Sequence, residues 1–496
     1  MDDSRERENE AGEEKAPKKR AEDNPWYLLA TLYGVPGRGN QELTDKNRRA
    51  WNGYFAANLG EEIRARLINE KRHPAEELTP LSPEHLQEVE GVFAERSKGS
   101  AESLALPTKT DEIDFSNVQF DRDIALAGYL LVGNAHFEQA CFLRNAEFDG
   151  VTFIGMADFD NAAFCSMASF TGAAFAGPAI FQGANFTALT LFGYATFFSM
   201  AYFVGATFSR GNPYGNTSFA RAKFYGEANF LLANFGGSAD FEKAEFFRTV
   251  GFLKATFARS VTFARVTFFA DVNFDTATFF EKTVFADAIF NSFSHFINAE
   301  LRGVTSFEGA TFKTVPPQFF NTKLHQGTVW RGVTWPPAPK EKDAAGTFID
   351  AYACLKLEMD LLKKHEDELD FFALELQSRR VLQESVLKRS GLPIALYGLV
   401  SDYGRSYARP LYALFAVAAF GTLVLLLSGA LAPCQSPGLS IANTFNVFGF
   451  RKDFFDATTI ERLPAALKVF SGVQTIIGTI LLFLFGLGVR NKFRMK

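Results

Sequence analysis

Residues 157–164 read ADFDNAAF and residues 228–235 read ANFLLANF, and these stretches show the pattern that decides the fold. In each, phenylalanine closes a unit of five or six residues, and a small residue stands two positions before it. Residues two apart in an extended segment point to the same side, so each unit directs one large and one small side chain inward. A 3.6-residue helix would scatter this spacing around its circumference. The pattern therefore predicts a solenoid of short strands stacked coil upon coil.

The same spacing extends from Phe115 to Trp335. It is interrupted by a five-residue insertion near positions 209–218 and by one extra residue at Pro316–Pro317, and it provides forty equivalent positions for a large side chain. We expect these side chains to fill a dry interior, where aromatic rings pack offset or edge-on. The predicted core positions include Phe137, Phe142, Phe148, Phe153, Phe159, Phe164, Phe230, Phe235, Phe241 and Phe246.

The two quoted stretches resemble the pentapeptide-repeat proteins, whose unit is Ala, Asp or Asn, Leu or Phe, and two variable residues. The resemblance covers about 45% of the chain. It implies a right-handed quadrilateral β-helix with four units per coil, so forty units would make about ten coils. This sequence departs from the family by a sixth residue in alternate units, which lengthens a coil from 20 to 22 residues. Because folds of this kind serve unrelated purposes, the resemblance implies a fold and no particular function.

Composition argues against nucleic-acid binding and against enzymatic activity. The 496 residues carry a formal net charge of −5, and the array from Ile113 to Trp335 holds 18 acidic and 15 basic residues. A DNA mimic needs rows of carboxylates at phosphate-like spacing, about 1.7 Å of axis per charge, and the array lacks such rows. The six histidines form no metal-binding motif, and the four cysteines form no Cys-x-x-Cys pair. We expect no catalytic residue, cofactor, metal or disulfide, and a reducing compartment.

Shifts in composition divide the chain into six parts. We assign residues 1–23 to a disordered charged tail, 24–110 to a small helical N-terminal segment, 111–335 to the β-helix, 336–345 to a proline-rich linker, 346–409 to a helical neck and juxtamembrane segment, and 410–496 to a transmembrane hairpin. Helical periodicity in the neck from Phe348 to Leu369 predicts either one coiled-coil-like helix or two antiparallel helices that turn at 363–368. We expect the neck to dock under the last coil, against Trp330 and Trp335.

One stretch of the array carries no charge. Residues 161–209 contain no Asp, Glu, Lys or Arg, although more than half of their side chains should face outward. A contiguous apolar patch of this kind marks a contact surface, and self-association is the leading interpretation. Solvation by Ser, Thr, Asn and Gln, or coverage by the N-terminal segment, are the alternatives. The candidate interface residues are Met167, Leu189, Leu191, Tyr194, Phe198, Met200 and Tyr202.

Two apolar runs at the C-terminal end predict transmembrane helices. Residues 411–432 and 469–489 are uncharged and exceed the ~20 residues that cross a bilayer. Arg405 and Arg409 precede the first run and Arg490 follows the second, which favours cytoplasmic ends. The tail has no apolar export signal. We therefore expect a multi-pass protein of the bacterial inner membrane with both termini cytoplasmic.

The connection between the two runs suggests an alternative function. Residues 433–468 are long enough to re-enter the bilayer, and Asn443, Thr444, Asn446 and Gly449 are candidate pore-loop residues. The carbonyl-lined filter motif of potassium channels is missing. Two functions from different classes remain: a non-enzymatic scaffold with the lipid bilayer as one partner and a second copy or an unidentified protein as another, or an oligomeric two-helix ion channel gated by the repeat domain, whose ion is unknown.

Overall fold

The computed structural model describes residues 18–37, 39–100, 104–209, 215–382, 391–446, 449 and 463–494. The chain forms two compact units, Met1–Pro336 and Pro337–Lys496. Several predicted parts fall in part on other residues. The following residues lie outside the described ones: the first 17 of the charged tail, 38 and 101–103 of the N-terminal segment, 210–214 of the insertion, 383–390 of the neck, and 447–448, 450–462 and 495–496 of the hairpin.

The first unit contains a four-faced solenoid. Each coil passes through four parallel sheets, which we name faces 1 to 4 in chain order, and equivalent strands pair 22 residues apart, as Ala157 does with Ala135 and Ala179. Faces 1, 3 and 4 have nine strands each and face 2 has 11, which makes a β-solenoid of about nine turns. The predicted fold class is confirmed.

The strands are two or three residues long. Face 1 consists of Ile113–Asp114, Ala135–His136, Ala157–Asp158, Ala179–Ile180, Ala201–Tyr202, Ala228–Asn229, Val250–Gly251, Val272–Asn273 and Ser294–His295. Face 2 consists of Lys19–Arg20, Val118–Phe120, Cys141–Phe142, Ala163–Phe164, Asn185–Phe186, Thr207–Phe208, Asn234–Phe235, Thr256–Phe257, Thr278–Phe279, Glu300–Leu301 and Lys323–Leu324. Face 3 consists of Ile124–Ala125, Ala146–Glu147, Ala168–Ser169, Thr190–Leu191, Thr217–Ser218, Ala239–Asp240, Val261–Thr262, Thr283–Val284 and Thr305–Ser306. Face 4 consists of Leu130–Leu131, Thr152–Phe153, Ala174–Phe175, Thr196–Phe197, Lys223–Phe224, Glu245–Phe246, Thr267–Phe268, Ile289–Phe290 and Thr311–Phe312.

Phenylalanine rings fill the interior in columns, one behind each face. Phe137 and Phe159 stack with ring centroids 4.6 Å apart and an interplanar angle of 6°, whereas Phe137 and Phe148, from the opposite columns of faces 1 and 3, meet edge-on at 5.7 Å. The ten core positions named from the sequence are at most 1% exposed. Full burial of one such side chain contributes about 1.5–3 kcal/mol, so these columns are the main source of the solenoid's stability.

Two kinds of corner explain why five- and six-residue units alternate. After each inward residue of faces 1 and 3, the second residue on adopts a positive φ, as at Asn161 (55°) and Gly183 (61°). Ala140 N donates to Phe137 O over 3.0 Å across such a corner, which closes a four-residue turn of type II. Around this tight corner the chain needs only five residues to pass from one inward residue to the next. The corners that follow faces 2 and 4 lack the turn and take the sixth residue.

The N-terminal segment is helical and packs on the solenoid. Its helices are α1 (Pro25–Ala30), α2 (Gln41–Phe55), α3 (Glu61–Asn69) and α4 (Pro83–Ser97), with short 3-10 turns at Ala21–Asp23, Ala56–Asn58 and Ala75–Leu78. The side chain of Ser82 accepts a hydrogen bond from His85 N and Pro83 occupies the first turn of α4, so this helix begins where its cap residues predict.

The assignment of residues 1–23 to a disordered tail is wrong at its end. Lys19–Arg20 form a strand that pairs in parallel with Val118–Phe120 and so extends face 2 by one strand. Lys18 Nζ also donates to Gln139 O over 3.1 Å. The physical reason is that the first coil leaves an open sheet edge, which any extended segment can complete whatever its charge.

The second unit is helical throughout its described residues. It consists of α5 (Lys342–Leu361), α6 (His365–Leu382), α7 (Gly391–Ser401), α8 (Ala408–Ser428), α9 (Gln435–Thr444) and α10 (Ala465–Arg494). α5 and α6 form a hairpin around Lys363, whose φ is 59°, so the neck takes the second of the two forms that its sequence allowed. α5 begins at Lys342, inside the expected linker 336–345. The last proline of this linker is Pro339, and the residues that follow it can form a helix. α8 and α10 are long and apolar enough to cross a membrane, and only 22% of the most apolar stretch of each is buried.

Candidate functional site

Face 4 is the surface of the solenoid that the N-terminal helices cover. Leu130 of its first strand packs in one apolar cluster with Leu59, Leu67 and Leu78 of the helical segment. Val132 and Ile154, on the same face, border this cluster. The first coils of face 4 are therefore an internal surface of the first unit, because their outward side chains are apolar and need a cover.

Polar contacts fix the position of the N-terminal helices on face 4. Asn52 donates through Nδ2 to Gly128 O over 3.1 Å and accepts through Oδ1 from Leu130 N over 2.8 Å. Glu77, nearly buried, accepts from Arg48 Nη2 over 2.9 Å. A carboxylate of this kind is tolerated in the interface because its charge is paired there.

His73 lies buried at the same interface. Its Nε2 is 2.8 Å from the hydroxyl of Thr152 on face 4. Burial lowers the pKa of His73 to about 4, although the charge of Glu77 opposes this shift. The imidazole is therefore neutral at neutral pH, and its single hydrogen bond satisfies it without a charge.

Beyond the cover, face 4 continues as a row of stacked rings that we call the aromatic row. It consists of Phe198, Tyr225, Phe247 and Phe269, with successive ring centroids 5.5, 4.5 and 4.6 Å apart. Arg66 and Arg72 of the N-terminal segment place their guanidinium groups 5.7 and 5.8 Å from the centre of the Phe198 ring. The cover thus ends on the first ring of the row.

The rest of the aromatic row is open. Tyr225 is 40% exposed and Phe269 is 45% exposed, which is unusual for rings aligned along one edge. On the adjacent strands of face 4, Lys223 Nζ and Glu245 Oε2 lie 3.2 Å apart. Neutralised charge beside a stacked apolar row is typical of a protein contact surface.

The sequence prediction of an interface did not identify this row, apart from Phe198. Leu191 lies on face 3 and Tyr202 on face 1, and because faces follow one another in chain order these two are on opposite sides of the solenoid. Met167 and Leu189 precede strands of face 3, Tyr194 occupies the corner between faces 3 and 4, and Met200 precedes face 1. The seven candidates therefore form no single patch. The 22-residue coil, with five more residues for the insertion, leads from 198 to 225, 247 and 269, and this spacing could have revealed the row.

In the second unit, small residues bring α8 and α10 close together. The buried positions of α8 include Leu414, Ala418, Gly421 and Leu425, spaced by four and three. A Cβ added at Gly421 would lie 2.2 Å from Gln474 Nε2 on α10. Close contact through small residues with an apolar exterior is typical of helices in a lipid environment.

α9 is wedged against both of these helices. Ser440 Oγ donates to Ala418 O on α8 over 2.7 Å, and Gln474 Nε2 on α10 donates to Ser440 Oγ over 2.7 Å and to Thr444 Oγ1 over 3.0 Å. Ala418 lies ten residues before the end of α8, which is about 15 Å of helix. α9 therefore runs back alongside the helix that precedes it.

Two of the four candidate pore-loop residues belong to this wedge. Asn443 and Thr444 are fully buried, and Asn443 Nδ2 donates to Gln474 Oε1 over 3.4 Å. Asn446 and Gly449 follow the helix, which ends at Thr444. Within the described residues, Asn443 Oδ1, Ser436 Oγ and Ser471 Oγ are buried without a hydrogen-bond partner.

A strained turn connects α7 to α8. Asp402, Tyr403 and Gly404 have φ values of 51°, 56° and 83°, and a non-glycine residue pays roughly 1–2 kcal/mol for this conformation. Arg405 holds the turn by pairing with Asp402 over 3.0 Å and with Asp370 of α6 over 3.1 Å. These contacts join the neck hairpin to the start of α8.

Among the described residues, two clusters have potential metal ligands within 4.8 Å of one another: His136, Glu138 and Asp158 on the solenoid, and Asp360, His365 and Glu368 in the neck. All are half-buried. Burial disfavours protonation of His136, yet hydrogen bonds and the charges of Glu138 and Glu112 raise its pKa. His136 pairs with Glu112 and Glu138, and His365 pairs with Glu368, so ion pairs account for both clusters and neither provides an argument for a metal.

Parallel strands in four sheets, columns of phenylalanine and tight turns at alternate corners define a class, the pentapeptide-type repeat solenoid. A family model described as pentapeptide repeats (9 copies) matches residues 134–184 and 219–267. The solenoid therefore contains pentapeptide repeats over these residues, as its sequence predicted. Comparisons with curated proteins and with solved structures found no match.

Proposed function

We propose that this protein is a non-enzymatic, membrane-anchored scaffold that self-associates through the open part of the aromatic row. The observation that carries the proposal is the division of face 4 into a half that the chain covers with its own helices and a half that it leaves exposed. The open half continues the surface that the N-terminal helices already contact. It has the same apolar character, and its side chains repeat at the same coil spacing. Binding surfaces of repeat solenoids are extended in the same way.

The second copy is favoured because the row is self-complementary. Lys223 and Glu245 stand side by side on face 4. If two copies pair about a two-fold axis, each Lys223 can lie opposite the partner's Glu245 while the rings stack between them. An isologous contact requires this arrangement of opposite charges on one patch.

The membrane anchor rests on the exterior of α8 and α10. Their outward side chains are large and apolar, including Tyr412, Phe415 and Phe483 at 70%, 59% and 69% exposure. Water would be a poor solvent for such a surface, whereas lipid is a good one. We propose insertion into the bacterial inner membrane with both termini cytoplasmic.

Membrane fractionation tests the anchor. After alkaline carbonate extraction of membranes, the protein should stay in the pellet, as an integral protein does. Recovery in the supernatant would contradict the anchor. For the topology, an impermeant thiol reagent applied to intact cells should label Cys434 between α8 and α9, while Cys165, also exposed but on the solenoid, should be labelled only after lysis.

The mass of the purified protein in detergent tests the self-association. Light scattering should give a dimer or larger for the wild type and a monomer for Phe269→Asp, because a buried carboxylate cannot be desolvated between stacked rings. Phe280→Asp is the matched control, since Phe280 has 44% exposure but follows a strand of face 2. A wild-type monomer, or an oligomer that survives Phe269→Asp, would contradict the proposal.

The wedge formed by α9 favours an oligomeric ion channel as a second candidate function. α9 runs back between two helices of membrane length. Polar atoms of Asn443, Ser436 and Ser471 lie there without a hydrogen-bond partner among the described residues. Lipid cannot satisfy such atoms, so they favour a polar cavity at this depth. Purified protein in a planar bilayer should then give unitary currents, and Gln474→Leu should abolish or alter them. Silence from a verified oligomer would contradict the channel.

A further inference from the structure

A cavity of 280 Å³ lies in the second unit where α5, α6, α7 and α10 meet. Its lining includes Lys356 of α5, His365 of α6, Tyr397 of α7, and Arg490 and Asn491 of α10. Four helices thus contribute one or two polar side chains each to a single concave surface. Such convergence of a few polar groups in a cavity is the usual form of a ligand site.

The cavity has a surplus of positive charge. Among the residues that line it, Lys356 and Arg490 are cations and Glu368 is the one carboxylate. Outside the lining, a carboxylate oxygen of Asp360 lies within 4.8 Å of His365 and Glu368. Lys356 pairs with the nearly buried Glu375, but Arg379 pairs with this same carboxylate over 2.8 Å, so two cations share one anion.

Arg490 adds to this surplus. It forms no ion pair with any residue that the structure describes, and it is one of the residues that line the cavity. A guanidinium group without a carboxylate partner is suited to bind phosphate oxygens through two parallel hydrogen bonds. The charge and geometry therefore favour a phosphate-bearing anion.

The position of the cavity along the chain favours a lipid as the source of this phosphate. α7 exposes Leu392, Leu396 and Leu399, which are 46%, 48% and 74% exposed and are spaced by four and three residues, so one side of this short, uncharged helix presents apolar side chains. These side chains border a groove with α6. Exposed apolar surface of this kind is suited to contact with lipid. Tyr397, on another side of α7, lines the cavity.

α10 provides a path for acyl chains from the same place. Its apolar run ends immediately before Arg490, and Ile480 and Phe483 expose 53% and 69% of their surface two to three turns earlier. Leu487 lines the cavity between these residues and Arg490. A molecule with an anionic head and apolar tails would thus meet matching surfaces along one helix.

We propose that this cavity binds the headgroup of an anionic phospholipid, with Arg490 and Lys356 contacting the phosphate and the acyl chains lying along α10. The lipid then joins the neck hairpin to α7 and α10 at the cytoplasmic edge of the membrane. This inference rests on the proposed insertion of α8 and α10. It adds a ligand and a site that anchoring alone does not require.

Native mass spectrometry of the delipidated full-length protein in detergent tests the site. Phosphatidylglycerol should bind with a clear first occupancy, and phosphatidylcholine, whose headgroup has no net charge, should bind at least fivefold more weakly. Arg490→Gln should weaken phosphatidylglycerol binding at least fivefold. Lys492→Gln, which removes the same charge two residues further along and outside the cavity, should leave the binding unchanged.

Three outcomes would overturn the proposal. Equal losses in Arg490→Gln and Lys492→Gln would mean diffuse attraction instead of a site. Equal binding of the two lipids would exclude recognition of anionic charge. Glycerol phosphate that binds as tightly as the lipid would mean a soluble ligand. Alkaline extraction of the same variants separates this proposal from the anchor: Arg490→Gln should remain in the membrane pellet, and release of the wild type would contradict the anchor instead.

Discussion

At the scale of single residues, Gly478 sets how closely α9 can approach α10. A Cβ at this position would lie 2.1 Å from the backbone oxygen of Thr444, and backbone cannot move aside as a flexible side chain can. Gly478→Val should therefore lower the thermal stability of the protein in detergent by the equivalent of about 1–3 kcal/mol, the usual cost of overpacking. Gly486→Val is the control, because a Cβ there has no neighbour within 4 Å. Equal losses in both variants would show that helix propensity, and not the α9 contact, determines the effect.

His73 should make the attachment of the N-terminal helices sensitive to acid. Its folded pKa of about 4 lies below the value near 6.5 of an exposed histidine, so the unfolded or detached state binds the proton more readily. The stabilising effect of the neutral imidazole is complete above pH 6.5 and is lost as the pH falls towards 4, with a total of roughly 3 kcal/mol. The protection factors of α2 and α3, which correct for the slower intrinsic exchange of amides at low pH, should therefore fall between pH 6.5 and 4. The variant His73→Gln should show a flatter profile, and an unchanged profile would contradict this role.

At the scale of elements, the tight corners of the solenoid are the positions where glycine should raise the stability of the fold. Leu232 has a φ of 58° and a side chain that is 54% exposed, so it bears the conformational cost of the corner with little burial in return. Leu232→Gly should raise the stability of the solenoid by about 0.5–1 kcal/mol, because relief of roughly 1–2 kcal/mol of strain exceeds the entropy that glycine adds to the unfolded chain. The measurement is denaturant unfolding of the purified protein.

Leu231→Gly is the matched control for this corner. Leu231 precedes the strained residue and does not have a positive φ, so glycine there relieves no strain and should destabilise the solenoid, by its entropic cost of about 0.5–1 kcal/mol and by the loss of a half-buried side chain. A stabilised Leu231→Gly, or a destabilised Leu232→Gly, would contradict the assignment of strain to the second corner residue.

The repeat could be predicted from the sequence because the large inward positions, such as Phe159, are almost always phenylalanine. The position two residues before each of them holds a small side chain, which is usually alanine and is in places a fully buried Thr or Ser such as Thr190 or Ser294. The outward positions obey no such rule. Leu191 and Tyr202 are both apolar, yet they are 11 residues apart, half a coil, and therefore lie on opposite faces. The sequence composition identifies the uncharged coils. Only the geometry of the coils shows which of their side chains are neighbours.

Elements outside the repeat were harder to predict because tertiary contacts determine their limits. Pairing of Lys19–Arg20 depends on the open edge beside Val118, a partner about a hundred residues away. α9 ends at Thr444, where its hydrogen bond with Gln474 completes the polar wedge, and nothing in the local pattern marks this end. The apolar lengths of α8 and α10, by contrast, are local properties and were predicted to within a few residues.

At the scale of the whole molecule, the N-terminal helices decide how much of face 4 is open. They cover the coils that carry Leu130, Val132 and Ile154 and end at Phe198, while the row from Tyr225 to Phe269 stays exposed. A chain that begins at Thr110 should expose both halves as one continuous apolar strip. Because the gain of apolar area strengthens association, this truncated protein should form larger assemblies than the wild type, by light scattering in the same detergent.

The combination of truncation with Phe269→Asp distinguishes the two halves of this strip. If face 4 is one continuous contact surface, the added carboxylate should reduce the assemblies of the truncated protein without abolishing them, because the newly exposed half still provides apolar contacts. In the full-length protein, the same substitution should leave a monomer, since the helices already occupy that half. An unchanged mass after truncation would mean that Leu130 and its neighbours do not take part in association and that the N-terminal helices serve only to end the solenoid.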